Sequence, residues 1–383
     1  MKTTPAGSAA RAVTVVGRAV LVLIWLFAGV VAGATGLELA LTLKGRWNAS
    51  HDAMSRFHAL ERAYRSCDVL QLHPQYLFFF PRDPRERVAL SNSVCSLDAD
   101  GFRGPGPSHA RGRRLAFLLG GSAAFGAMAS SDATTITGYL NRLQDEYFFV
   151  NAGVPSWNST QEMFRLAFQL VDYHPALVVA YDGANDAELI DVLGRQMPEY
   201  AAGMPEDFDR LSDLVDKAAG MQSPKRALVS LFTRLFPELT DRLNDSFYRA
   251  ARDTDRSRPL PEEVLQRGVA RYLSNLTRMR DLTTAQGARF VAVFQPMAQL
   301  HRHFGPEAAF FSFLTIERFH RAAVKQIPAD LDFHDLGNVF DQYYSAIPVV
   351  NPDITDQTVF TDRVHLYDPG NEIVARHLAQ LIQ

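Results

Sequence analysis

The sequence predicts an α/β fold: a three-layer α/β/α sandwich around a mostly parallel sheet. Three observations predict it. Short, nearly continuous apolar runs recur at Arg114–Leu119, Tyr147–Val150, Ala176–Tyr181 and Arg289–Phe294. Amphipathic stretches separate them. Glycines and polar residues follow them directly. Strands buried on both faces lose polar alternation, and the helices between them cover the two faces. In such sheets ligands bind beyond the carboxyl ends of the strands, so the residues after each run are the candidates for chemistry.

Taken in order, Ala49 to Ser66 reads as a charged helix and Leu70 to Phe80 as a strand or buried edge segment. Asp98 to Pro107 is dense in turn residues. The strand Arg114–Leu119 ends in glycines. Thr134 to Glu146 has Ile136, Tyr139, Leu140 and Leu143 at helical spacing, and the strand Tyr147–Val150 follows. Gln161 to Val171 reads as a helix, and Ala176–Tyr181 as a strand bounded by Pro175 and Gly183. From 187 to 260 the rhythm breaks into charged helical patterns interrupted by prolines, as expected of a helical insertion. Pro261-Glu262-Glu263 starts a helix in the preferred way, with Pro in the first turn and acids at its positive end. Its stripe of Leu265, Val269, Leu273, Leu276 and Met279 is core packing. Leu331 to Leu336 adds a candidate strand, and a final helix begins at Asp368-Pro369.

The chain has 383 residues, 47% of them hydrophobic and 21% charged, with a formal charge of -3. Such a chain buries a sizeable core, which excludes general disorder. No basic stripe interleaved with aromatics points to nucleic acid. Two cysteines exclude a disulfide-dense scaffold and a four-Cys zinc site. The histidines form no recognised metal motif, so neither metal nor cofactor is expected.

Ala19 to Leu37 is a run of 19 residues without a charge, long enough to cross a bilayer as a helix. Lys2, Arg11 and Arg18 precede it with no acid among them, so the expected arrangement is N-terminus in the cytoplasm and the rest outside. The expected parts are a cytoplasmic segment 1–18, a transmembrane helix 19–43, a linker and extension 44–111, and a domain 112–383 that includes the insertion. The expected place is a single-pass inner-membrane protein facing the periplasm or extracellular side. Ala32-Gly33-Ala34 also has the spacing of a signal-peptide cleavage site, which would send the chain to the same side. Cys67 and Cys95 suit that compartment as a disulfide; two separate buried thiols is the other reading.

Three polar sites fall after strands or before the last helix. Ser122 follows Gly120-Gly121. Asn185 lies in Gly183-Ala184-Asn185-Asp186. Asp362 and His365 are three apart, which lets a carboxylate orient the imidazole. Taken singly, the first two read more readily as a helix cap and an Asx turn, and the third equally well as a surface pair. Together they resemble the SGNH, or GDSL-like, hydrolase superfamily. Its Gly-Asp-Ser block is similar to Gly120-Gly121-Ser122, with Gly in place of Asp. Its Gly-x-Asn-Asp block matches 183–186, and its Asp-x-x-His block matches Asp362 to His365. Its Asn-x-x-x-x-Gly block is similar to the stretch from Asn151, where the donor position falls on Ser156, with Gly153 the lesser candidate. Gly101-Phe102-Arg103-Gly104 also resembles an element found ahead of the nucleophile in some exported members, and the sequence gives it no role.

The resemblance implies ester chemistry. Ser122 would be the nucleophile, His365 the base and Asp362 its orienting carboxylate. The N–H groups of Ser122 and Ser156 and the Asn185 amide would hold the oxyanion. Trp157, next to the proposed donor, is a candidate pocket residue, with core packing as the alternative. An acylated carbohydrate or a lipid is the expected substrate. Hydrolysis, acyl transfer to an exported polysaccharide, lipid ester hydrolysis and a catalytically silent assembly module stay open at this stage.

Overall fold

The computed structural model describes residues 22, 25–44, 53–73, 75–193, 235–236, 239, 260–302, 314–345 and 359–383. The chain divides into two units, Met1–Ser55 with Val215–Asp255 and Arg56–Leu214 with Arg256–Gln383. In the first, helix α1 spans Trp25–Lys44 with a mean hydropathy of 1.7, and 6% of that apolar stretch is buried. Trp25, Phe27 and Val30 stand exposed on it. Its length and composition suit a membrane span, and a signal sequence has the same traits. Most of the expected insertion, 187–260, lies outside the described residues.

The second unit is built on five parallel strands: β3 (Arg114–Gly120), β4 (Tyr147–Asn151), β5 (Leu177–Asp182), β6 (Arg289–Phe294) and β7 (Phe333–Asp335). Their order is β4-β3-β5-β6-β7. The chain moves outward from β3 to β4, then returns past β3 to continue through β5, β6 and β7. The topological switch therefore lies between β3 and β5, where Gly120 pairs with Tyr181.

Alternate side chains feed two cores. Phe117 and Leu119 join one, with residues of α6 (Ser159–Phe168), α7 (Ala184–Leu193), α8 (Glu262–Thr284) and α9 (Leu314–Lys325). Ala116 and Leu118 join the other, with residues of α5 (Ile136–Leu143) and α10 (Asp368–Leu381). This is the expected three-layer sandwich, and it follows from the period of two along a strand. Helix α6 starts earlier than the apolar spacing predicts. The Asn158 side chain accepts the Thr160 N–H, and Gln161 reaches back to the Asn158 N–H.

The stretch 70–80 is not one strand. It folds into an antiparallel hairpin, β1 (Gln71–His73) and β2 (Leu77–Phe79). His73 Nδ1 faces the N–H groups of Gln75 and Tyr76 at 3.3 Å each, and Leu77 adopts a positive φ of 68°. A side chain thus supplies the turn that no Gly signals. The hairpin, α2 (Ala53–Cys67) and a short helix α3 (Pro84–Ala89) bring Tyr64, Tyr76, Phe79 and Phe80 together with Phe125 and Trp157 in a third core. Cys67 and Cys95 are joined as a disulfide within it.

Candidate active site

The site forms at the switch point. Strand β3 ends at Gly120, whose φ is +150°. A Cβ there would lie 2.2 Å from the Tyr181 carbonyl oxygen and 2.5 Å from Ala124 Cβ, so only glycine lets β3 and β5 close on each other. Gly121 is extended, and Ser122 is the first residue of the four-residue helix α4 (Ser122–Phe125). Ser122 is therefore not the helix cap. Its hydroxyl points instead to His365.

Ser122 Oγ lies 2.7 Å from His365 Nε2, and Asp362 Oδ2 lies 2.6 Å from His365 Nδ1. An ionised carboxylate only accepts, so Nδ1 donates to Asp362 and Nε2 is left to accept from Ser122. The loop holding Asp362 and His365 is compact rather than helical. Asp362 Oδ1 accepts the N–H groups of Val364 at 2.8 Å and His365 at 2.9 Å, and Thr361 N–H donates to the His365 carbonyl at 2.9 Å.

Burial opposes the charge on Asp362, but His365 and the two backbone N–H groups outweigh it and hold the carboxyl below its ordinary value. About half of the Asp362 side-chain surface stays accessible, so this is a crowded rim rather than a sealed interior. Burial likewise pushes the imidazole of His365 down, and Asp362 more than restores it by charge and hydrogen bond, so its value is raised. Arg363 works against this and Asp68 adds to it. The Arg363 guanidinium is paired with Glu188.

Asn185 stands on α7, directly after β5. Its amide donates to the Trp157 carbonyl at 2.6 Å, which leaves its second N–H for another acceptor. A Cβ on Gly121 would lie 2.2 Å from that amide nitrogen and 2.9 Å from the Trp157 carbonyl oxygen. A side chain at 121 would therefore crowd the Asn185 amide in its present position. Ser156 has φ +64°, a region glycine prefers, and it is exposed. Among the described residues no backbone acceptor takes the Ser122 or Ser156 N–H.

Gly153 does not serve as the alternative donor. Its N–H is already given to Asn151 Oδ1 at 3.1 Å, and a Cβ there would lie 2.3 Å from the Phe125 nitrogen. Gly153 is the point where the β4 loop rests on α4. Trp157 is also corrected as a pocket residue. It is fully buried, it packs on Tyr76 and Phe79 at centroid distances of 5.3 and 5.6 Å, and its Nε1 donates to the Phe78 carbonyl at 3.0 Å. It anchors the N-terminal extension.

Sequence reasoning missed several supporting residues. Arg103, from the Gly-Phe-Arg-Gly element, is buried with its Nη1 on the Phe125 and Gly126 carbonyls at 3.1 and 2.5 Å. Its Nη2 reaches the Val94 carbonyl at 2.9 Å, and its Nε pairs with Asp132 at 2.9 Å. It thereby closes the end of the turn that presents Ser122, and Asn151 Nδ2 donates to the Ala124 and Phe125 carbonyls from the other side. Asp68, beside the disulfide, interacts with His365 and with Tyr64; burial raises its carboxyl and His365 partly offsets this. Only the resemblance of Gly101–Gly104 hinted at any of these.

Behind Asn185, Glu162, Asp182 and Asp186 are all buried. Burial raises Asp182 to about 7, helped by Asp186, and raises Asp186 to about 6 against the opposing hydrogen bonds from Ser159. Ser159 Oγ–H donates to Asp186 at 2.6 Å and Ser159 N–H at 3.1 Å, which fixes the start of α7. Among the described residues no group of three or more His, Cys, Asp or Glu could hold a metal ion.

No protein-family model matches the chain, and no curated protein matches it in sequence. Solved structures that resemble it include a catalytic mutant of Axe2, an acetylxylan esterase from Geobacillus stearothermophilus. It has 13% identity, coverage of 70% of this chain and 94% of that one, and a TM-score of 0.38. TesA has 16% identity, coverage of 70% and 98%, and a TM-score of 0.38. A GDSL-like lipase from Bacteroides thetaiotaomicron has 15% identity, coverage of 70% and 87%, and a TM-score of 0.31. At such identities and TM-scores, the chemistry has to be drawn from the site's own geometry.

Proposed function

We propose that this protein is a serine ester hydrolase of the SGNH type, acting on O-acyl esters, chiefly short acyl groups on carbohydrate. One observation carries the reading: the unbroken hydrogen-bond chain from Ser122 Oγ through His365 to Asp362, at the switch point of a doubly wound sheet. Ser122 Oγ attacks the ester carbonyl while its proton passes to His365 Nε2. The carbonyl π pair becomes the oxyanion, held by the N–H groups of Ser122 and Ser156 and the free N–H of Asn185. The C–O bond to the alcohol then breaks, and His365 returns the proton to the departing oxygen. Water repeats the sequence on the acyl-enzyme, with His365 taking its proton and giving it to Ser122 Oγ. Asp362 keeps Nδ1 as the donor and stabilises the imidazolium in each half.

The site faces away from the cytoplasm in this reading, tethered through α1. The Cys67–Cys95 disulfide supports an oxidising compartment. The test is labelling of the full-length protein with a serine-reactive phosphonate, mapped by mass spectrometry. Attachment at Ser122 that disappears in His365→Ala is the expected result. No labelling, together with full biological activity of Ser122→Ala, would end the enzymatic reading. Dominant acyl transfer to an added sugar acceptor would replace hydrolysis by transfer with the same residues in the same roles.

A further inference from the structure

Three elements bring carboxyl groups together behind Asn185: Glu162 comes from α6, Asp182 from the end of β5 and Asp186 from α7. They are 0%, 3% and 7% exposed. The charged groups that act on them are one another, Asp182 and Asp186 on Glu162 and Asp186 on Asp182. From α8 the titratable group facing them is Tyr272, also buried, whose hydroxyl makes no full hydrogen bond. Both oxygens of Glu162 and both of Asp182 are sealed from solvent and accept no hydrogen bond. A carboxylate buried without donor or counter-charge keeps its proton instead of its charge. A retained proton also answers the missing pairing, because it turns one carboxyl into a donor for the other. Asp186 differs from its neighbours. It accepts the Ser159 O–H and N–H, which support its charge, so it ionises first. Burial and the neighbouring acids hold Glu162 and Asp182 higher.

This cluster lies under a seam that carries two of the oxyanion donors. On the α6 side run Ser156, Trp157 and Ser159, and on the α7 side Asn185 and Asp186. Two adjacent rungs close the seam: the Asn185 amide on the Trp157 carbonyl at 2.6 Å, and Ser159 on Asp186. Asn275 of α8 braces it, donating to Ser159 Oγ at 3.0 Å and Thr160 Oγ1 at 2.9 Å. Glu162 belongs to the α6 side, and Asp182 and Asp186 to the β5–α7 side. Full ionisation would set like charges against each other across the seam with no cation to offset them. Their repulsion acts to part the starts of α6 and α7, and so to open the Asn185–Trp157 rung.

We propose that Glu162, Asp182 and Asp186 share a retained proton at neutral pH, and that this protonated cluster positions the oxyanion donors Asn185 and Ser156. Its loss in alkali switches the site off. The inference rests on the ester-hydrolase reading for the role of Asn185, but the proton and the amide can each be followed without catalysis.

The experiment uses the full-length protein in detergent micelles over a pH series. Infrared difference spectroscopy reads protonated carboxyls. NMR follows the Asn185 side-chain amide, assigned by its absence in Asn185→Ala. Steady-state kinetics use p-nitrophenyl acetate, corrected for spontaneous hydrolysis. The expected result is a buried protonated carboxyl at neutral pH, weakened in Asp182→Asn and in Glu162→Gln. The Asn185 signal should shift, and kcat should fall, with the midpoint at which that carboxyl ionises. The ratio of kcat at about pH 9 to kcat at about pH 7.5 should rise at least threefold in Asp182→Asn, or in Glu162→Gln if that variant fails to fold. Stability gives an independent reading. The folded chain keeps protons that the unfolded chain has released, so stability falls as pH rises from the ordinary carboxylate range to the raised values. Asp182→Asn removes one such group, so its melting temperature should gain on that of the unmodified protein as pH rises. A merely structural change would shift it equally at every pH. A carboxyl and an Asn185 signal that titrate together in a protein hydrolysing no ester would sink the catalytic reading and keep the cluster. No protonated carboxyl at neutral pH, an Asn185 signal that ignores its ionisation, or an unchanged kcat ratio in the variants of an active protein would overturn the inference.

Discussion

Replacing Arg103 by Met keeps most of the side-chain volume and removes the charge. The guanidinium side chain is 1% exposed and spends its nitrogens on Asp132 and on three carbonyls, two of them at the end of the Ser122 turn. Breaking a buried pair from one side costs about 3–5 kcal/mol. Three partners are not left bare, which places the loss near the bottom of that range. Asp132 keeps the Ser96 N–H and hydroxyl, the Phe125 carbonyl keeps Asn151, and the Gly126 carbonyl keeps the Ala129 N–H. A loss of about 3 kcal/mol lowers the melting temperature of a unit this large by ~5 °C. Because the Phe125 and Gly126 carbonyls, at the end of α4, each lose the guanidinium, kcat on p-nitrophenyl acetate should fall more than KM rises. Arg103→Lys keeps the charge but cannot reach four acceptors, so it should recover about half of the loss. Thermal unfolding by circular dichroism, with steady-state kinetics on the same samples, measures both effects. A melting temperature within ~1 °C of the unmodified protein, with kcat/KM within twofold, would refute the view that Arg103 holds the Ser122 turn.

Three further outcomes are expected. Ser122→Ala and His365→Ala should each remove most of kcat, and the double variant should be little worse than either, as groups acting as one unit require; independent, multiplying losses would contradict it. The raised value of His365 means that its neutral, basic form is reached only above the ordinary imidazole range, so kcat/KM should fall on the acid side through that raised value. Asp362 and Asp68 favour the imidazolium and Arg363 opposes it, so Asp68→Asn should move the acid limb to lower pH, and a limb that stays in place would remove Asp68 from the site. Replacing Cys67 and Cys95 by Ser opens a loop with a sequence separation of 28, and chain entropy puts the cost at about 3–4 kcal/mol, readable by urea unfolding. A midpoint unchanged between the two proteins would mean that the disulfide adds nothing to stability.

The layers of the sheet were legible because burial on both faces erases alternation in each strand, and Leu177–Asp182 shows that pattern without a break. The contact of Asp362 with His365 needed only a spacing of three. Ser122 is 243 residues from His365, so only the strand order brings them together. What could not be read was support delivered to backbone. Arg103 serves carbonyl groups, and carbonyls carry no sequence signal. The turn of the hairpin at 71–79 was marked in sequence by Pro74 alone, and the His73 imidazole that serves it is no turn signal. Glu162, Asp182 and Asp186 come from three separate elements, so their mutual burial exists only in the folded chain. Trp157 looked like a pocket residue because of its neighbour in sequence, while its actual partners precede it by 78 residues and more.

That last separation sets an order on synthesis. Tyr64, Tyr76, Phe79 and Phe80 emerge from the ribosome well before Phe125 and Trp157, the residues that bury them. Until Trp157 arrives this aromatic set has no lid, which is the exposed apolar state that invites aggregation. The cysteines are closer together, so their ring can close while the cluster still waits for the indole. Whatever carries the nascent chain has to shield residues 64–80 for that interval. The same dependence fixes where the foldable piece begins: a chain trimmed to start at residue 112 would keep every residue of the Ser122–His365–Asp362 relay and leave Trp157 and Phe125 bare to water.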